Sequence, residues 1–145
     1  MKHYRQKIRE TVASLLSGID ATIYRTRVYR ATSLPAISVF ISNERITYEN
    51  NGPLGVPPRY SREADLVIEV SDESTSDVDD KVDRLASEVE SLIGADVSLG
   101  GVVEQAILSR VTFRMSGEGD KAYMTCEVTY RVWYRTTASD PENAI

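Results

Sequence analysis

The sequence is poor in the side chains that most often carry chemistry. Of its 145 residues, one is cysteine (Cys126) and one is histidine (His3). A lone cysteine excludes an intrachain disulfide. A lone histidine near the start of the chain weakens zinc-site readings and every catalytic reading that needs an imidazole base. No window approaches the roughly 18 consecutive apolar residues of a membrane helix. No apolar stretch of about 7–15 residues follows Lys2, Arg5, Lys7 and Arg9, so no secretory leader is expected. The chain reads as a soluble protein made and kept in a cytoplasm. An excess of positive charge is also missing: 17 basic residues stand against 22 acidic ones, a net charge of −5. A domain-wide basic footprint for nucleic acid is therefore absent. What is present is ordinary globular material, 41% apolar and 27% charged, in a length that suits one domain.

The charge is segregated. Residues 1–30 carry seven bases (Lys2, Arg5, Lys7, Arg9, Arg25, Arg27, Arg30) and two acids (Glu10, Asp20), a local balance of +5. Residues 72–90 carry eight acids (Asp72, Glu73, Asp77, Asp79, Asp80, Asp83, Glu88, Glu90) and two bases (Lys81, Arg84), a balance of −6. One reading is two solvated helix faces. The other is a dipolar subunit whose faces meet unlike neighbours, since complementary patches on one chain suit head-to-tail contacts that close into rings.

Hydrophobic spacing outlines the elements. Ile8, Val12, Leu15 and Leu16, with Ile19 beyond, predict a helix over residues 3–17 with Gly18 as its stop. Ile23 to Arg30 reads as a short exposed strand. Leu34-Pro35 introduces a strand over Ala36–Ile41, with Ile37, Val39 and Ile41 on one face. Ser42-Asn43 reads as a turn, followed by a short strand over Arg45–Glu49. Three prolines and two glycines in residues 50–59 forbid a regular element and make a long exposed loop. Arg62 to Val70 alternates as a half-buried strand, with Ala64, Leu66, Ile68 and Val70 inward. Val78, Val82, Leu85, Val89, Leu92 and Ile93 predict the strongest helix, capped by Ser76 or Asp77 and closed by Gly94. A hairpin follows. Ile107, Ser109, Val111, Phe113 and Met115 share one face of its first strand. Its second strand alternates from Ala122 to Tyr134, with a turn at Gly117–Asp120.

The expected fold class is α+β, a mostly antiparallel sheet with two helices packed on one face. Residues 1–136 form a single domain with an exposed loop at 50–60, and residues 137–145 a flexible C-terminal tail. The other sheet face carries Arg110, Arg114, Arg131, Arg135 and Trp133. It meets either solvent or another subunit.

Catalytic arrangements fail one by one. Cys126 lies on the apolar face without a nearby base, which fits a core cysteine. No Gly-x-Ser-x-Gly elbow and no phosphate-cradling glycine motif is present. The acidic run fails as a calcium loop. Counted from Asp77, Lys81 and Val82 fill the fifth and sixth positions; counted from Asp72, Asp77 replaces the glycine and Asp83 the glutamate. Helix N-terminal acids are the better account. No catalytic, cofactor or metal residue is therefore assigned. Arg25, Arg27 and Arg30, with Tyr24 and Tyr29, form a basic-aromatic patch. Thirteen of the seventeen bases are arginine, which favours bidentate interface pairing. The patch fits a subunit interface better than DNA contact or solvated surface. The interface candidates are Arg25, Arg27, Arg30, Arg110, Arg114, Arg131 and Arg135, with Asp77, Asp79, Asp80 and Asp83 as their complement.

The element order and several phrases resemble the tail terminators of long-tailed bacteriophages, the family of the lambda-type minor tail protein U. The phrases are the helix Arg5–Ser17, Leu34-Pro-Ala-Ile-Ser-Val-Phe-Ile41 with Glu44, Glu63-Ala-Asp-Leu-Val-Ile-Glu-Val70, Asp79-Asp-Lys-Val-Asp-Arg-Leu-Ala86 and the closing strand pair. They cover roughly residues 3–135. The resemblance implies a virion protein of the head-proximal tail end, made in the host cytoplasm. It implies a hexameric ring that caps the tail tube, stops its polymerisation and presents a surface to the neck proteins. DNA would pass through such a ring without specific binding. The resemblance transfers no site residue. A neck connector or tail-tube subunit is the alternative, and a small hydrolase with an unrecognised carboxylate pair the more distant one.

Overall fold

The computed structural model describes residues 2–27, 33–49, 53–118 and 120–145, with Glu118 by its backbone alone. Two helices and a five-stranded, mostly antiparallel sheet make an α+β fold, as expected. The elements in chain order are α1 (Tyr4–Leu15), β1 (Thr22–Tyr24), β2 (Ala36–Glu49), β3 (Arg59–Ser74), α2 (Val78–Ala95), β4 (Gln105–Glu118) and β5 (Lys121–Thr137). The sheet order is β1-β2-β3-β5-β4, and only β1 and β2 run parallel.

Both helices cover the same sheet face. The stripe Tyr4, Ile8, Val12 and Leu16 meets Ile37 and Val39 of β2, Leu66 and Ile68 of β3, and Cys126 to Tyr134 of β5 in one buried cluster. From α2 that cluster takes Val78, Val82, Leu85, Ala86, Val89 and Ile93. Leu92, expected inside, is exposed, because its position faces away from the α2 stripe. Burial of each fully enclosed Ile, Leu or Val contributes about 1.5–3 kcal/mol.

Neither helix stops on its glycine. α1 ends at Leu15 with Leu16 as a right-handed cap, and Gly94 lies inside α2, which runs to Ala95. The left-handed residues follow α2 instead, at Leu99, Gly100 and Gly101. Asp96 organises that loop: its carboxylate accepts from Ser98 N at 3.1 Å and Gly100 N at 2.8 Å. Leu99 is thereby turned into the core.

Two bulges correct the strand readings. The expected turn at Ser42-Asn43 is a bulge within one continuous β2, where the pairing to β3 slips between Ile41 and Asn43. A bulge adds one residue and so reverses which side chains face inward. Glu44, Ile46 and Tyr48 consequently join the helix side. A second bulge, between Leu108 and Arg110, turns Ile107 to the outer face and brings Leu108 to the helix side. The β2–β3 pair runs well past the α1 N-terminus, and in the loop beyond it Leu54 and Val56 are exposed. The segment 137–145, expected as a flexible tail, is hydrogen-bonded at three points: Ala138 N to Pro58 O, Tyr4 N to Pro141 O, and Ile145 N to Arg135 O, at 2.8–2.9 Å.

Candidate assembly surfaces

The outer sheet face is a lattice of charges. Arg45 of β2 spans the sheet to Glu63 and Asp65 of β3, at 3.3 and 2.9 Å. Arg131 reaches Glu63 at 3.5 Å, Arg114 reaches Glu127 at 3.6 Å, and Arg135 meets Glu104 at 2.7 Å. Three of the four predicted sheet arginines are therefore committed within their own chain. Arg110 has no ion pair among the described residues. It sits between two shallow clefts of about 360 and 280 Å3, the first also lined by Arg27, Phe40, Glu69, Arg114 and Glu127. Arg27 lies over the Phe40 ring at 4.6 Å, an exposed cation–π contact. Arg25 is exposed, 3.9 Å from Glu10 of α1. Arg30 and Tyr29 lie outside the described residues.

Glu69 and Glu127 face each other across β3 and β5. Burial first, and the Glu127 charge second, push the Glu69 carboxyl above its usual value, with Arg114 and Arg27 offsetting part of the effect. Asp65 moves the other way, because the hydrogen bonds of Arg45 favour its charged form over the opposing effect of burial.

The predicted acids lie in the helix layer, away from these arginines. Asp77 stands at the N-cap of α2, but its side chain makes no capping bond and instead accepts from the Ser74 hydroxyl. Asp79, Asp80 and Asp83 are exposed and form no ion pair among the described residues. The chain thus keeps the two predicted charge sets apart. No group of three or more His, Cys, Asp and Glu side chains suited to a metal occurs among the described residues. No helix there is long and apolar enough to cross a membrane.

Sequence reasoning missed a charged network inside the molecule. Glu44 Oε2 accepts from Arg62 Nη1 at 2.8 Å and from Arg5 Nη1 at 2.7 Å, while Oε1 accepts from the Tyr134 hydroxyl. Arg62 Nε donates to Thr136 Oγ1 at 3.0 Å. The side chains of Arg62 and Glu44 are only 8% and 7% exposed. His3 completes the group as the α1 N-cap, its Nδ1 accepting from Arg5 N at 3.1 Å. Burial, then the charges of Arg5 and Arg62, hold the His3 imidazole below its ordinary pKa. The network joins α1 to β2, β3 and β5 at the root of the β2–β3 extension.

An apolar strip lies on the expected face but is left bare. Val111, Phe113 and Met115 were expected on the apolar face, and their partners Val128, Cys126 and Met124 do lie in the core. The strip itself stays exposed, because α2 covers β3 and β5 and no described element covers β4.

A family model described as phage minor tail protein U matches residues 2–134. Among solved structures, the chain is similar to one from the virion of a native gene transfer agent particle. Their identity is 13% and the TM-score 0.36, over 90% of this chain and 92% of that one. No curated protein matches.

Proposed function

Because the chain belongs to the phage minor tail protein U family, a structural component of the phage tail, we propose that it is the tail terminator. In this reading it forms a ring that caps the finished tube, stops its growth and offers the opposite surface to the neck. Such a subunit must contact its own copies, the tube and the neck, and needs several interaction surfaces but no active site.

One observation carries the reading. The exposed acids of α2 have no ion partner among the described residues, and Lys7, Arg25 and Arg27 are exposed bases of the α1–β1 region. Surfaces of opposite charge at different places on one subunit favour heterologous contacts, which close when the rotation allows. Arg25 and Arg27, with Arg30, are the bases proposed to meet Asp77, Asp79, Asp80 and Asp83 of a neighbour. Arg114, Arg131 and Arg135 are secondary, since each would first have to leave a partner in its own chain. A hexamer is the expected ring size.

The test is electron microscopy of particles assembled without this protein. A terminator's loss leaves tubes of uncontrolled length without heads. Tubes of normal length that fail only to join heads would instead assign the chain to the neck. The tail-tube alternative predicts no tube at all.

A further inference from the structure

β4 is the outer strand of the sheet, and among the described residues it pairs with β5 alone. One row of its backbone N–H and C=O groups therefore faces outward without a strand partner. Native sheets usually blunt such an edge with a proline, a bulge or an inward-pointing charge, because a bare edge recruits another chain. The bulge of β4 lies near its start, between Leu108 and Arg110. From Arg110 to Ser116 the strand pairs regularly and holds no proline, and its inward row is Val111, Phe113 and Met115.

The two faces of this stretch select an occupant. On the helix side, Phe113 and Met115 are 54% and 58% exposed. Their β5 partners, Cys126 and Met124, are buried core residues. The strip is thus the open rim of the core, and a strand laid against β4 would set every second side chain beside it. On the outer side stand Arg110, Thr112 and Arg114. The acids further in are already matched: Asp65 by Arg45 at 2.9 Å, and Glu63 by Arg45 and Arg131. Glu69 is two strands away on β3. Arg110 makes no ion pair among the described residues. The Arg114 side chain is 71% exposed and reaches Glu127 only at 3.6 Å. Residues 105–117 contain no acid. Over that stretch, a second β4 laid on the first would offer neither arginine a carboxylate.

We propose that β4 takes up an extended segment of a different protein as a sixth strand, one that alternates apolar and acidic side chains. In strand addition, main-chain hydrogen bonds supply affinity and alternate side chains supply selectivity. The apolar side chains of the incoming strand pack on Val111, Phe113 and Met115. Its carboxylates stand opposite Arg110 and Arg114. This contact is separate from the α2 and α1–β1 charges proposed to close the ring, so either can fail without the other.

Two synthetic octapeptides test it on the purified full chain, one alternating Val and Glu, the other Val and Lys. Amide NMR follows residues 110–116. The Val–Glu peptide is expected to shift these amides, to protect the outward-facing ones from exchange, and to bind about 10-fold more tightly than the Val–Lys peptide. The variant Arg110→Glu, Arg114→Glu changes only exposed side chains and is expected to reverse that order. Met115→Lys is expected to weaken both peptides while circular dichroism stays that of the parent. Equal binding of the two peptides, an order unchanged in the Glu variant, or no binding at millimolar concentration would overturn the proposal. Closed rings that bind neither peptide would overturn it and leave the ring reading standing. A fall in the mass of the protein itself on Phe113→Lys would assign β4 to a second copy, which also overturns it.

Discussion

Glu44 and Glu69 sit on neighbouring strands of one sheet, both drawn away from water, yet their carboxyls shift in opposite directions. Burial pushes each upward. At Glu44 that push is outweighed by hydrogen bonds from Tyr134 and Arg62 and by the charges of Arg5 and Arg62, so its pKa falls. At Glu69 burial is reinforced by Glu127 across the strand pair, so its pKa rises. Partner supply, not depth, decides the sign. The helix side, around Glu44, is finished: its charges are matched and enclosed. The outer side and the β4 edge are unfinished, with like charges opposed and apolar side chains bare. That contrast fits a subunit whose fold is complete and whose surfaces await other chains.

The largest test of the contrast removes Glu44. Glu44→Ala leaves the Arg62 guanidinium buried without its carboxylate, an expected loss of about 3–5 kcal/mol in urea unfolding. The double variant Glu44→Leu, Arg62→Leu should be more stable than Glu44→Ala, because it strands no charge. If the single variant cost under about 1 kcal/mol, the network would be no more than a surface ion pair.

The pH dependence sharpens the comparison. The lowered Glu44 pKa contributes stability that is present above the unfolded value of 4.5 and is lost as pH falls through the folded value. The raised Glu69 pKa works in reverse. Its favourable contribution is present below 4.5 and is lost as pH rises through the folded value. Carboxyl carbon NMR should find the two midpoints on opposite sides of 4.5; both on one side would break the comparison.

A smaller effect is expected from Glu69→Gln, which relieves the repulsion from Glu127. It should stabilise the fold at neutral pH by about 0.2–1 kcal/mol, read as a rise in Tm. The smallest comes from Arg45→Ala. Its pairs with Glu63 and Asp65 are exposed, so the fall in Tm should be the smallest of the set and shrink further in high salt.

Much of the fold was legible because its signal is periodic. The stripes Ile8–Val12–Leu16 and Val82–Val89–Ile93, and the alternation of β3 and β5, sit in the core as their spacing requires. Both bulges were hidden, because a serine at position 42 or 109 reads as a turn or as one more strand residue. Missing the first bulge hid Glu44, which strict alternation from Ile41 assigns to the outer face. A signal for its partners was nevertheless present: Arg62 keeps phase with Ala64 and Leu66, and Tyr134 with Val132. A charge in phase with a core stripe asks for a buried partner. The bare β4 strip was illegible for a different reason. Alternation identifies the apolar face of a strand, but not whether a helix reaches far enough to cover it.

The central claim is that the acidic α2 face and the basic α1–β1 region of one small subunit meet head to tail in a ring that closes. Light scattering and negative-stain imaging of the purified protein test it most directly. A single mass of a few subunits that does not grow with concentration is expected, seen as short rings with a central opening. A persistent monomer, or filaments that lengthen with concentration, would contradict it.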